Sequence, residues 1–164
     1  MALPAHVHAR AALKAELHVQ VEVLEVVLPP VTPGHAWVTG QIARVFKGPP
    51  GMRSARVTFE VPCIRDGDEP PPSGVRWKRA DDLEQAPVME ACLTLFEGRY
   101  QVAGYSTLLL NAVTDEPRFV YTEEQAQPPV PPKTRVYLRR VLLVILLLGL
   151  LYVVHPLIMF LIYV

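Results

Sequence analysis

Residues 141–164, VLLVILLLGLLYVVHPLIMFLIYV, form an apolar run with no Asp, Glu, Lys or Arg. A helix rises ~1.5 Å per residue, so such a run reaches somewhat past the ~30 Å hydrocarbon layer of a bilayer. Most of its residues are Leu, Ile, Val or Phe. Each favours insertion by roughly 0.3–0.6 kcal/mol near the membrane centre, and together they outweigh the polar cost of His155. A core helix of this composition would need apolar neighbours on every face, more than one small domain supplies. The run predicts a single-pass transmembrane helix over 141–164. The head before it, about 125 residues, suits one domain with a real core.

Charge is distributed unevenly. Every Asp and Glu lies at or before Glu124, whereas Lys133, Arg135, Arg139 and Arg140 crowd the mouth of the apolar run. Setting those four cations aside leaves twelve Lys and Arg against sixteen carboxylates in the head. An acidic head carries no electrostatic footprint for nucleic acid. The four membrane-interface cations favour the cytoplasmic side, and residues 1–20 have neither the h-region nor the cleavage pattern of a secretory signal. The expectation is a tail-anchored protein with its head in the cytosol. There Cys63 and Cys92 stay reduced. If the head were exported instead, a Cys63–Cys92 disulfide would be plausible, because both sit in or beside predicted strands.

The chain reads as four parts. Residues 1–16 form a flexible N-terminal segment with weak helical character, and residues 17–122 form a β-barrel domain. Residues 123–140 form a Pro-rich and basic juxtamembrane linker, and residues 141–164 the span. Leu17, Val19, Val21 and Val23 alternate with His18, Gln20 and Glu22, the period of a half-buried strand. The phase slips after Val23, which predicts a bulge. His35–Phe46 reads as a second strand with Gly40 a bend or close-contact point. Ala55, Val57, Phe59 and Val61 share one face of a third strand. A polar loop follows over 65–87, with one helical turn at 80–85. Strands resume at 88–96, 99–105 and 106–113, with a short edge strand at 118–122. The fold class is mainly β: a small antiparallel OB-like barrel, then a Pro-rich linker and one C-terminal transmembrane helix. The linker tract Gln127-Pro-Pro-Val-Pro-Pro132 is a polyproline II spacer.

The segments Ile42-Ala-Arg-Val-Phe-Lys-Gly-Pro-Pro-Gly51 and Ala55-Arg-Val-Thr-Phe-Glu-Val-Pro-Cys63 carry a family resemblance. With the strand–turn–strand of Glu90–Ala103, they resemble the netrin-like domain over about residues 17–115. That is the OB-type barrel shared with tissue inhibitors of metalloproteinases. The resemblance implies a barrel and a general binding role. Inhibition is not implied, since the family's N-terminal metal-contacting Cys and its several disulfides are missing here.

Motifs for chemistry are sparse. His6-x-His8, with His18 and His35, lacks neighbouring Cys or carboxylate ligands. Asp66-Gly67-Asp68 is a fragment of a calcium loop, and Asp81, Asp82 and Glu84 sit in polar context. Ser106 lacks the second glycine of a nucleophile elbow, and no P-loop, HExxH or dinucleotide fingerprint is present. The expectation is no catalytic residues, no metal and no cofactor. Trp77 within Val75-Arg76-Trp77-Lys78-Arg79 has the residue mix enriched at interfaces, although the ring could equally fold back onto the barrel. Arg76, Trp77, Lys78 and Arg79 are the candidate partner-binding residues outside the membrane, and His155 beside Pro156 the candidate within it. The sequence therefore suggests a non-catalytic protein-interaction module, an accessory or assembly subunit of a membrane complex. Its partners would be the bilayer and other membrane protein subunits. The alternatives are an exported, C-terminally anchored netrin-like binding or inhibitor domain, and a membrane-tethered hydrolase using Ser106 or the loop carboxylates.

Overall fold

The computed structural model describes residues 4–49, 51–71, 75–129, 142, 143 and 145. They belong to two units that divide at Pro128. In the first, helix α1 (Ala5–Lys14) precedes strands β1 (Leu17–Val27), β2 (Gly34–Lys47) and β3 (Arg56–Ile64). The short strand β4 (Lys78–Arg79) leads into helix α2 (Ala80–Gln85), then β5 (Val88–Phe96) and β6 (Arg99–Leu110). The unit is mainly β. β1 pairs with β2 and β5, β2 with β3, and β5 with β6, all antiparallel, and β6 returns to β3 to close a five-strand barrel. The closing pair is parallel, Phe59 beside Tyr100 and Glu60 beside Gln101. The one parallel seam follows from parity: a closed ring of five strands cannot alternate direction at every seam.

Alternation supplies the core. Leu17, Val19 and Val21 of β1 meet Val57, Phe59, Val61 and Cys63 of β3 and Met89, Ala91 and Leu93 of β5. Leu83 brings α2 into the same cluster. Complete burial of a ring such as Phe59 contributes roughly 1.5–3 kcal/mol. The slip after Val23 is a bulge: Val23 pairs with Gly40 and Glu25 with Thr39, which leaves Leu24 unpaired and exposed. Gly40 allows close approach, because a Cβ there would lie 2.8 Å from the Glu22 carbonyl oxygen.

A second, smaller cluster has α1 on one side and the barrel on the other. Ala12, Ala15, Cys92 and Ala103 pack there with Phe119 and Tyr121. The segment read as flexible thus contains α1, with His8, Ala9 and Ala12 buried. Lys47 donates from Nζ to the Leu13 carbonyl at 2.6 Å, satisfying an orphan acceptor at the helix end. Two expectations are corrected downstream. Residues 99–105 and 106–113 are not separate strands but largely one, β6. Residues 118–122 form no strand, because the Arg118 and Phe119 N–H groups go to the Glu90 carboxylate instead of a ladder. Beyond them Ala126 is buried, and its carbonyl accepts from Arg10 at 3.2 Å.

Residues 130–141, with Lys133, Arg135, Arg139 and Arg140, and residues 146–164, with His155, lie outside the described residues. Of the apolar run only Leu142, Leu143 and Ile145 are described, all helical and exposed. Among the described residues no helix is long and apolar enough to cross a membrane.

Candidate functional site

The outward residues of β2 and β3 line up in rows: His35 opposite Pro62, Trp37 opposite Glu60, Thr39 opposite Thr58. Arg99 holds its guanidinium 5.8 Å from the centre of the Trp37 ring, a cation–π arrangement. Past Glu60 and Gln101 the parallel seam opens. Pro62 has no N–H to extend a ladder, and β6 bulges: Leu93 pairs with Val102 but Ala91 with Thr107, leaving residues 103–106 over. Gly104 and Tyr105 in this bulge have left-handed φ values of 57° and 56°.

Helix α1 lies against the bulge. His8 donates from Nδ1 to the Gly104 carbonyl at 3.0 Å, and its ring sits 5.8 Å from that of Tyr105. Between α1 and the open seam runs a groove of about 450 Å³. Its polar lining is His8, His35, Glu60, Gln101 and Tyr105. Glu60 is half-buried, and its carboxylate has no hydrogen bond or ion pair among the described residues.

The 75–79 segment reaches the same region through Trp77, whose ring centroid is 6.4 Å from that of His35. Trp77 is half-buried, and its indole N–H lacks a partner among the described residues. Arg76 is exposed. Lys78 instead turns to the barrel and donates from Nζ to the Thr107 carbonyl at 3.0 Å. Burial holds its pKa below the usual lysine range, helped by Arg76 and opposed by Asp82. Arg79 pairs with Asp66. Thr32 and the Arg65 N–H hold the Asp68 carboxyl below its usual range. The four residues of the basic patch are therefore divided: Arg76 is exposed and Trp77 sits beside His35 at the groove's edge, while Lys78 and Arg79 have partners within the fold.

The histidines are dispersed, His8 on Gly104, His18 on Glu90 and His35 beside Trp77. Among the described residues no group of three His, Cys, Asp or Glu is placed to hold a metal ion. Ser106 is only 3% exposed, and its hydroxyl has no partner among the described residues. Cys63 and Cys92 are both free and buried, the first in the barrel core and the second in the smaller cluster under α1. Burial raises both thiol pKa values, and Cys92, beside Glu90, is pushed from 9.0 up to about 12.

The unfolded Cys92 thiol ionises near its ordinary value while the folded one stays neutral. Its contribution to stability is complete below about pH 9 and is lost as pH rises toward about 12. Urea midpoints measured across that window should fall less steeply for Cys92→Ala than for the native chain.

Sequence reasoning pointed to Trp77 but missed Glu60, Tyr105 and His8 as groove residues. The available signal was Gly104, since glycine inside a strand marks a bulge or a close backbone approach. Neither the models of known protein families nor the curated proteins include a match to this chain.

Proposed function

We propose that this chain is a membrane-anchored, non-catalytic interaction module whose barrel engages a partner subunit through the groove and its Trp77 rim. The observation that carries the reading is the His35–Trp77 ring contact, which joins the outward 75–77 segment to an open groove on a rigid frame. Aromatic and Arg side chains at such a rim are the types that dominate binding energy at interfaces. We further infer an OB-type barrel. The strand sequence around the ring, with a helix between β3 and β5 and a parallel β3–β6 closure, supports that type. The netrin-like resemblance at 42–51 and 55–63 is in keeping with it.

The anchor is the apolar run at 141–164, with Lys133, Arg135, Arg139 and Arg140 on the cytosolic side and His155 available for contact within the bilayer. Tethering confines the head to a thin layer and raises its effective concentration for membrane partners. Carbonate washing should leave the chain in the membrane fraction, and external protease should spare the head in sealed cells. Thiol labelling would not report the compartment, because both thiols are buried. Co-purification in mild detergent should recover a partner subunit with the native chain and lose it with Arg76→Glu or Trp77→Ala. Elution of the native chain alone under all gentle conditions would sink the proposal.

A further inference from the structure

We infer that the groove between α1 and the β3–β6 seam binds a Lys or Arg side chain carried on an extended peptide segment of a partner protein, with Glu60 as its counter-ion. The inference rests on the groove being the contact site and adds the chemistry of what enters it.

Among the described residues Glu60 is the only carboxylate lining the groove. It is half-buried, in register with Trp37 on one side and Gln101 on the other. Water solvates it in the open groove, and a ligand that covered it without supplying a partner would cost free energy. Arg99, on the same sheet face, is held over the Trp37 ring and makes no ion pair with Glu60. No cation among the described residues pairs with it, which leaves the carboxylate free for a ligand's cation.

Other ligand classes fit less well. An anion would meet Glu60 directly. A purely apolar ligand would desolvate the carboxylate without replacing its hydrogen bonds. A divalent cation needs several convergent ligands, and no group of three is present among the described residues. A cation on an apolar stem fits: Val7, Ala11, Pro62 and Val102 line the groove for the stem, alongside the His35 and Tyr105 rings. A small free amine would leave most of an open groove of about 450 Å³ unfilled. Pockets that hold small molecules enclose most of their surface, whereas an open groove gains its contact area from a chain lying along it.

The test uses the full chain in mild detergent, with emission from its two tryptophans, Trp37 and Trp77, as readout. The probes are acetylated and amidated tripeptides Ala-Arg-Ala, Ala-Lys-Ala and Ala-citrulline-Ala, with n-butylamine as the free amine. The Arg and Lys peptides should bind saturably and at least about tenfold more tightly than the citrulline peptide or the amine, as expected of a charge-assisted hydrogen bond. Glu60→Gln should abolish that margin without shifting the melting temperature. Should the variant fold poorly, the Arg-against-citrulline comparison on the unaltered protein still decides. Equal binding of the Arg and citrulline peptides, equal competition by butylamine, or no saturable change with any probe overturns the inference. Loss of a co-purifying partner in Trp77→Ala would still uphold the groove as the contact site in any of those cases, so the two ideas can fail separately.

Discussion

Replacing Glu90 with alanine should lower the unfolding free energy by about 3–5 kcal/mol, because several buried hydrogen-bond donors lose their shared acceptor at once. Glu90 is completely buried, yet it lies on the outward side of β5, beneath the segment that follows β6. His18 donates to its Oε1 from Nε2 at 2.8 Å, and Gln20 to its Oε2 at 2.7 Å. The main-chain N–H of Arg118 reaches Oε2 at 2.9 Å, and that of Phe119 reaches Oε1 at 3.3 Å. Gln20 extends the network, because its Oε1 accepts from the Thr114 N–H at 2.8 Å. His18 is also enclosed by the Phe46 and Phe119 rings. Alanine would leave these donors facing a void, each at a cost of roughly 1–3 kcal/mol unless water enters. Urea unfolding gives the size of the loss, and hydrogen exchange at the Arg118 and Phe119 amides shows where it falls. A loss under about 1 kcal/mol would mean that the carboxylate does not hold the segment. Glu90→Gln should fall between, since an amide keeps the shape but turns one acceptor into a donor facing donors.

The same residue shows where sequence reading stopped. Period-two alternation placed Leu17, Val19 and Val21 in the core, and the slip at Val23 announced the bulge at Leu24. Alternation assigns the intervening positions to water, and for Glu22 that is right. Gln20 and Glu90 are instead buried, because the segment after β6 covers them, and covering by chain that is distant in sequence leaves no periodic trace. Helix α1 was faint for a different reason. Its buried face is largely alanine, which contributes little apolar contrast, so its docking depends on close approach and not on bulk. The groove was unreadable altogether. His8, His35, Glu60, Gln101 and Tyr105 come from α1, β2, β3 and β6 with no shared spacing, and strand register together with the docking of α1 on Gly104 brings them together. The basic patch at 76–79 was readable as composition. Its division into outward and inward members was not, because it depends on the positions of the Thr107 carbonyl and Asp66.

Close approach makes Gly104→Ala the other severe substitution, with an expected cost of about 2–4 kcal/mol built from two terms. The left-handed φ of 57° would charge an L side chain roughly 1–2 kcal/mol. The remainder comes from the helix. A Cβ at this position would stand 2.6 Å from the His8 carbonyl oxygen and 3.0 Å from the Ala11 Cβ, so α1 must lift. Lifting it breaks the His8–Gly104 hydrogen bond and uncovers Ala9 and Ala12. Gly98→Ala is the control, because its φ of 77° imposes comparable strain while nothing lies within 4 Å of the added atom. The difference between the two variants isolates the docking of α1, and limited proteolysis within residues 5–14 should rise in Gly104→Ala alone. The groove should follow the helix: with His8 and Ala11 displaced, the Arg tripeptide should lose affinity in Gly104→Ala and keep it in Gly98→Ala. If the two variants unfold at the same urea concentration, α1 contributes nothing to the fold, and a groove with that helix as its wall could not hold a ligand in register with Glu60.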